Sequence, residues 1–148
     1  MNQWWAIVML ISGGLFAGGV VSIAWERVPA WRGMAVPEFQ TSFAHTLRRV
    51  DRIQPVLLTI CLVSTTGFAA SAKGPVRLPA LLTAGCLLIV LLGSAVWLVP
   101  LQRRLVTLRV DQSSPSLQRL RDQWFRGHLI RTVVSVVALS LAVVAAAL

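Results

Sequence analysis

The sequence predicts an all-α fold: a membrane four-helix bundle, residues 1–148 as one domain, with cytoplasmic extensions of helices two and four. Three observations predict it. Hydrophobic residues make up 56% of the 148-residue chain, above the roughly 45–50% of ordinary globular proteins. Three segments lack any charged side chain over lengths near the bilayer thickness, and a fourth is uncharged from Thr132 to Leu148. Almost all the charge falls in the connections on one side of those segments.

A spanning helix needs about 20 mainly apolar residues, because the hydrocarbon core is about 30 Å thick and each residue rises about 1.5 Å. Segments 4–25, 53–72, 78–101 and 129–148 meet that requirement. The first carries Trp4, Trp5 and Trp25 near its two ends, where indole rings favour the interface. It has no basic residue ahead of it, and it exceeds the apolar core of about 7–15 residues in a signal peptide, so it reads as a retained span. Gly14 and Gly18 form a G-x-x-x-G spacing, doubled by Gly13 and Gly19, which lets a second backbone approach closely. The spacing predicts an interior position for this helix, or a contact with a homo-oligomer or partner membrane protein through Gly14 and Gly18.

Helix two is expected to start at Pro37, well ahead of its apolar run. Phe39, Phe43, Leu47, Val50 and Gln54 share one face by their three- and four-residue spacing, with Asp51 beside them. Glu38, Ser42, His45, Arg49 and Arg52 take the opposite, charged face. Ser114 followed by Pro115 predicts the start of helix four, a capping serine and a first-turn proline. On that helix Leu117, Leu120, Trp124, His128, Arg131 and Ser135 fall on one stripe. The leucines must be buried, so His128 and Arg131 are expected to point inward with them.

With four spans, both termini and the 73–77 loop lie on one side, and the other two connections on the opposite side. The first side holds only Lys73 and Arg77, and the second holds the remaining twelve of 14 basic residues. The positive-inside rule makes the arginine-rich side cytoplasmic and both termini external, in a plasma or inner membrane. All five acidic residues and both histidines also lie on that side. The net charge of +9 is therefore a topology signal, and nucleic acid is excluded as a partner. Cys61 and Cys86 lie within spans and form no C-x-x-C, which argues against a thiol relay.

Ionisable side chains at membrane depth are costly and mark functional cavities. His128 and Arg131 are the leading candidates, with Trp124 on the same stripe and Asp51, Gln54 and Glu26 as further polar candidates. His45, His128, Glu26 and Glu38 are ligand types on one side, and His45, His128 and Glu26 are the weak candidates for a metal ion, since no H-x-x-x-H or E-x-x-H pair exists. No phosphate-binding glycine loop and no G-x-S-x-G occurs.

The sequence resembles a family of small four-span membrane proteins whose named members are anthrone oxygenases. The resemblance rests on Gly13-Gly14-Leu15-Phe16-Ala17-Gly18, on Val99-Pro100-Leu101-Gln102-Arg103-Arg104-Leu105, and above all on Trp124, His128 and Arg131. Gln102 stands where that pattern carries Asn. The resemblance implies oxidation of a lipophilic polycyclic anthrone, a polyketide-type or quinone-like aromatic, with O₂ as co-substrate and no evident organic cofactor. In that reading His128 is the base and Arg131 its electrostatic partner. Trp124 stacks on the substrate, and Asp51, Gln54 or Glu26 orient it. The alternatives are a non-catalytic subunit of a larger complex and a small-molecule transporter, the latter disfavoured because no repeat is present.

Overall fold

The computed structural model describes residues 3–107 and 115–148, with the side chains of Asp51 and Pro115 outside the described set. Helix α1 (Gln3–Ser22) runs through a π-helical turn, π1 (Ile23–Arg27), into α2 (Val28–Gly33). Helix α3 spans Val36–Ser71, and a short 3₁₀ turn (Gly74–Val76) leads into α4 (Arg77–Gly93). A second π turn, π2 (Ser94–Leu98), then α5 (Val99–Thr107) and α6 (Pro115–Ala147) complete the chain. The α3–α4 turn requires a glycine, since Gly74 adopts φ +61°, a conformation costly for any residue with a Cβ.

Four helical stretches, Gln3–Gly33, Arg52–Ser71, Gly74–Thr107 and Ser116–Ala147, are long and apolar enough to cross a membrane. Their packing closes a ring: α1 lies against α3, α3 against α4, α4 against α6, and α6 against α1. The surface is apolar, with Ile11, Leu15, Leu78, Ile89, Leu92 and Val133 among its exposed residues. The interior holds Ser12, Gln54, Ser64, Thr65, Thr83, Gln102, His128, Thr132 and Ser135. These polar side chains sit among a larger number of buried apolar ones, beneath a surface more apolar than that of a soluble protein. This arrangement suits a chain solvated by lipid tails, where burying apolar surface gains little and packing and internal hydrogen bonds hold helices together. The protein is an integral membrane protein.

Several of the buried hydroxyls are satisfied within their own helix. Thr65, Ser64 and Ser135 donate to the carbonyls of Cys61, Ile60 and Arg131 at 2.7–2.8 Å. Cys61 is buried, Cys86 is half-buried, and both are free thiols.

Helix α3 begins one residue before the expected proline and continues as one rod through its apolar half. Helix α6 starts at Pro115, as a first-turn proline favours; the proposed Ser114 cap lies outside the described residues. The glycines of α1 divide their roles differently from the expectation. A Cβ on Gly13 would sit 3.2 Å from the Cys61 sulfur, and one on Gly19 would sit 2.9 Å from Gln54 Nε2. Gly14 and Gly18 would meet nothing within 4 Å. The inner two glycines allow close packing within the chain, and the G-x-x-x-G pair faces away from it.

Candidate functional site

The site forms where α6 passes the two π turns. Each of these turns widens a helix by one residue, with Val28 N–H donating to the Ile23 carbonyl and Val99 N–H to the Ser94 carbonyl. Such widened turns often accompany functional sites, because they redirect side chains and loosen backbone partners. Helix α6 reaches π2 through Gly127, where a Cβ would lie 2.8 Å from Leu98 Cδ2 and 3.4 Å from the Trp97 ring.

His128 is wholly buried, at 0% exposure. Its Nε2 lies 3.2 Å from the Val20 carbonyl of α1, and its Nδ1 lies 2.9 Å from Nη2 of Arg131. A guanidinium can only donate, so Nδ1 accepts and the ring proton resides on Nε2, which donates to Val20. The imidazole is thus neutral, and its single lone pair is engaged by Arg131. Thr132, one turn along, donates to the His128 carbonyl at 2.9 Å.

Trp124 stacks on the imidazole with ring centroids 4.9 Å apart and planes 12° from parallel. It is also the hub of an aromatic cluster. Phe43 meets it edge-on at 4.8 Å, Phe125 at 5.9 Å and Trp31 at 6.0 Å. Phe39 joins through Trp31 and Phe43. Trp31 Nε1 donates to Ser42 Oγ at 3.0 Å, so Ser42, expected on the charged face of α3, instead anchors the cluster. Arg121 closes the top, donating to the carbonyls of Trp31 and Met34 at the end of α2 while lying over the Phe39 ring. A substrate ring stacking on Trp124 would have to displace His128 or part of this cluster, because the indole is only 1% exposed.

Arg131 is half-buried and lines a pocket of about 90 Å³ between π2 and α6. Ser94, Trp97, Gly127, Ile89 and Ile130 share its walls. Ile89 and Ile130 are 64% and 57% exposed on the bundle's outer surface, so the pocket opens sideways toward lipid. Ser94 is among its lining residues, and the buried Ser94 Oγ has no hydrogen-bond partner. Two other buried donors, Trp124 Nε1 and Gln54 Nε2, also lack partners. A buried unsatisfied donor costs about 1–3 kcal/mol, so these, with Arg121 Nε, among the described residues of this half of the bundle point to function more than to stability.

Of the residues singled out from sequence, Trp124, His128 and Arg131 come together. Gln54 approaches α1 at Gly19, one residue from the Val20 carbonyl that receives His128. Glu26 and His45 are exposed and line a separate open groove of about 300 Å³. The Asp51 side chain lies outside the described residues. Among the described residues, no three His, Cys, Asp or Glu side chains gather closely enough to share a metal ion. Sequence reasoning missed Ser94 and the Val20 carbonyl. Ser94 had a visible signal, a Gly-Ser pair interrupting an apolar run, whereas a backbone acceptor has none.

A sequence profile of the anthrone oxygenases matches residues 43–141, which include Gln54, Ser94, Trp124, His128 and Arg131. The chain belongs to the anthrone oxygenase family. No curated protein and no solved structure matches it significantly. The part matched to the family holds π2, all but the start of α3 and all but the end of α6, so the arginine pocket lies within it. The glycine-rich first span, which supplies the Val20 acceptor, lies outside the matched range.

Proposed function

We propose that this member of the anthrone oxygenase family is an oxidoreductase that converts a lipophilic hydroxylated polycyclic aromatic, of the anthrone class, to the corresponding quinone with O₂. The observation that carries this reading is a single guanidinium, that of Arg131, which contacts the buried imidazole of His128 and also lines a pocket open to the bilayer. The pocket, at about 90 Å³, is well below the roughly 300 Å³ of a small enclosed ligand site. It suits the edge of a flat molecule whose remaining rings rest against Ile89, Ile130 and lipid.

Loss of a proton from the reactive methylene leaves an anion whose charge collects on the ring oxygen. Arg131 and the Ser94 hydroxyl are the donors suited to that oxygen, and such stabilisation is worth most where water is excluded. As Arg131 turns to the neutral ring carbonyl oxygen on which that charge will collect, it releases Nδ1 of His128, whose lone pair becomes available as the base. Overall the CH₂ becomes C=O: one oxygen atom of O₂ enters the ring carbon, and the other leaves as water with the two methylene hydrogens. The Trp124 ring and the Val20 carbonyl hold the imidazole in orientation.

The charge distribution supports a cytoplasmic arginine-rich end, with both termini outside, in a plasma or inner membrane. A second reading, a non-catalytic partner subunit, is favoured by one observation, the outward-facing Gly14 and Gly18. The test is anthrone-dependent O₂ consumption and quinone absorbance by the detergent-purified protein. Arg131→Ala is expected to lower turnover about 10²–10³-fold, as loss of an oxyanion donor does, with Arg131→Lys retaining part of it. Full turnover in Arg131→Ala would end this reading.

A further inference from the structure

A larger concavity lies apart from Arg131. It is a groove of about 530 Å³ between α3 and α5, whose walls include Leu47, Val99 and Val106 and whose polar side carries Arg48, Arg52 and Arg103. All three arginines are exposed. They come from two helices, and no carboxylate lines the groove among the described residues. The two walls are joined by Gln40, which donates from Nε2 to the Leu105 carbonyl at 3.0 Å.

The level of the groove is set by the sequence. Arg52 immediately precedes the uncharged run 53–72, and Arg103 follows the end of 78–101 by two residues. The arginines therefore stand at the boundary between hydrocarbon and headgroups. Arginine forks match phosphate oxygens in paired hydrogen bonds, and basic pockets between spanning helices recognise anionic headgroups. Topology alone needs only net positive charge on this side, not three arginines lining one apolar-walled groove.

We propose that this groove is a specific site for one anionic phospholipid. Its phosphate is held by Arg48, Arg52 and Arg103, and its glycerol and first methylenes lie on Leu47, Val99 and Val106. The site is independent of the oxidation reading, since none of these residues lines the Arg131 pocket.

The test is native mass spectrometry of the full chain in detergent, titrated with phosphatidylglycerol or phosphatidylcholine. One phosphatidylglycerol should remain bound at collision energies that strip phosphatidylcholine. Replacing Arg48, Arg52 and Arg103 by Gln together should weaken its retention at least about tenfold. The charge-matched control Arg27→Gln, Arg119→Gln and Arg126→Gln should leave it within about twofold, because separate exposed charges are largely screened. Equal retention of the two lipids, equal loss in the control, or displacement by excess inorganic phosphate would each overturn the proposal. If the triple variant does not fold, Arg103→Gln alone decides. A loss of about threefold is then expected from removing one of three contacts, and no loss overturns the site.

Discussion

The two ends of the bundle are built from different materials. At the arginine-rich end the core is aromatic and polar, with Trp31, Phe39, Phe43, Trp124 and Phe125 packed together and His128 beneath them. At the other end it is small and aliphatic, with Ala69, Ala72, Ala80, Ala142 and Ala145 closed around Met9 and Phe68. The alanine end brings helices close and leaves almost no room, as the cavity of about 10 Å³ beside Ala142 indicates. The aromatic end is filled by large rings and contains unpartnered donors. In lipid, where close backbone approach holds helices together, the alanine end is suited to fastening the bundle and the aromatic end to housing a site.

The largest effect expected from this contrast is at Trp124. Its ring touches four aromatic neighbours, counting His128, and Trp124→Ala would leave a cavity the cluster cannot collapse into. Large-to-small changes of this kind cost about 3–5 kcal/mol. Thermal unfolding in detergent should show that loss, together with lost turnover, because the imidazole loses the surface that orients it. If stability stayed within about 1 kcal/mol, the indole would not be the hub described above.

At the opposite end the expected damage is smaller and confined to stability. Ala142 is 2% exposed, and Ala142→Leu would force extra methylenes into a filled space at a cost of about 1–3 kcal/mol. Turnover per folded molecule should be unchanged, since Ala142 lines neither the Arg131 pocket nor the aromatic cluster. A fall in turnover with folded yield intact would show that the two ends are coupled, and the division of labour would fail.

What could be read from sequence follows the same divide. The spans were legible because lipid imposes a minimum length of apolar residues. The stripe through Leu117, Trp124, His128 and Arg131 was legible because α6 is polar outside the membrane, so its periodicity marks a buried face. Helix α1 offered no such contrast. It is apolar all round, and spacing alone could not tell that Gly13 and Gly19 face inward. Nor could it reveal the π turns, whose extra residue is stabilised by neighbours distant in sequence, or the cluster that joins Trp31 to residues of α3 and α6. The site's titratable members were visible, but the acceptor that fixes the tautomer of His128 was a backbone carbonyl on another helix.

The smallest expected effect concerns two adjacent glycines of α1. A Cβ on Gly13 would sit 3.2 Å from the Cys61 sulfur and 3.6 Å from Leu139, whereas one on Gly14 meets nothing. In Gly13→Ala the gain of about 1 kcal/mol from replacing a helical glycine is offset by the crowding, so the net change should be near zero or slightly destabilising. In Gly14→Ala that gain should appear undiminished as a small rise in unfolding temperature. This holds only if no second chain uses the outward face. Were α1 to pack against a partner helix through Gly14 and Gly18, the added methyl would instead separate the two backbones. Size-exclusion chromatography would then show dissociation, and the unfolding temperature would fall. A more stable Gly14→Ala with unchanged size would instead assign that face to lipid.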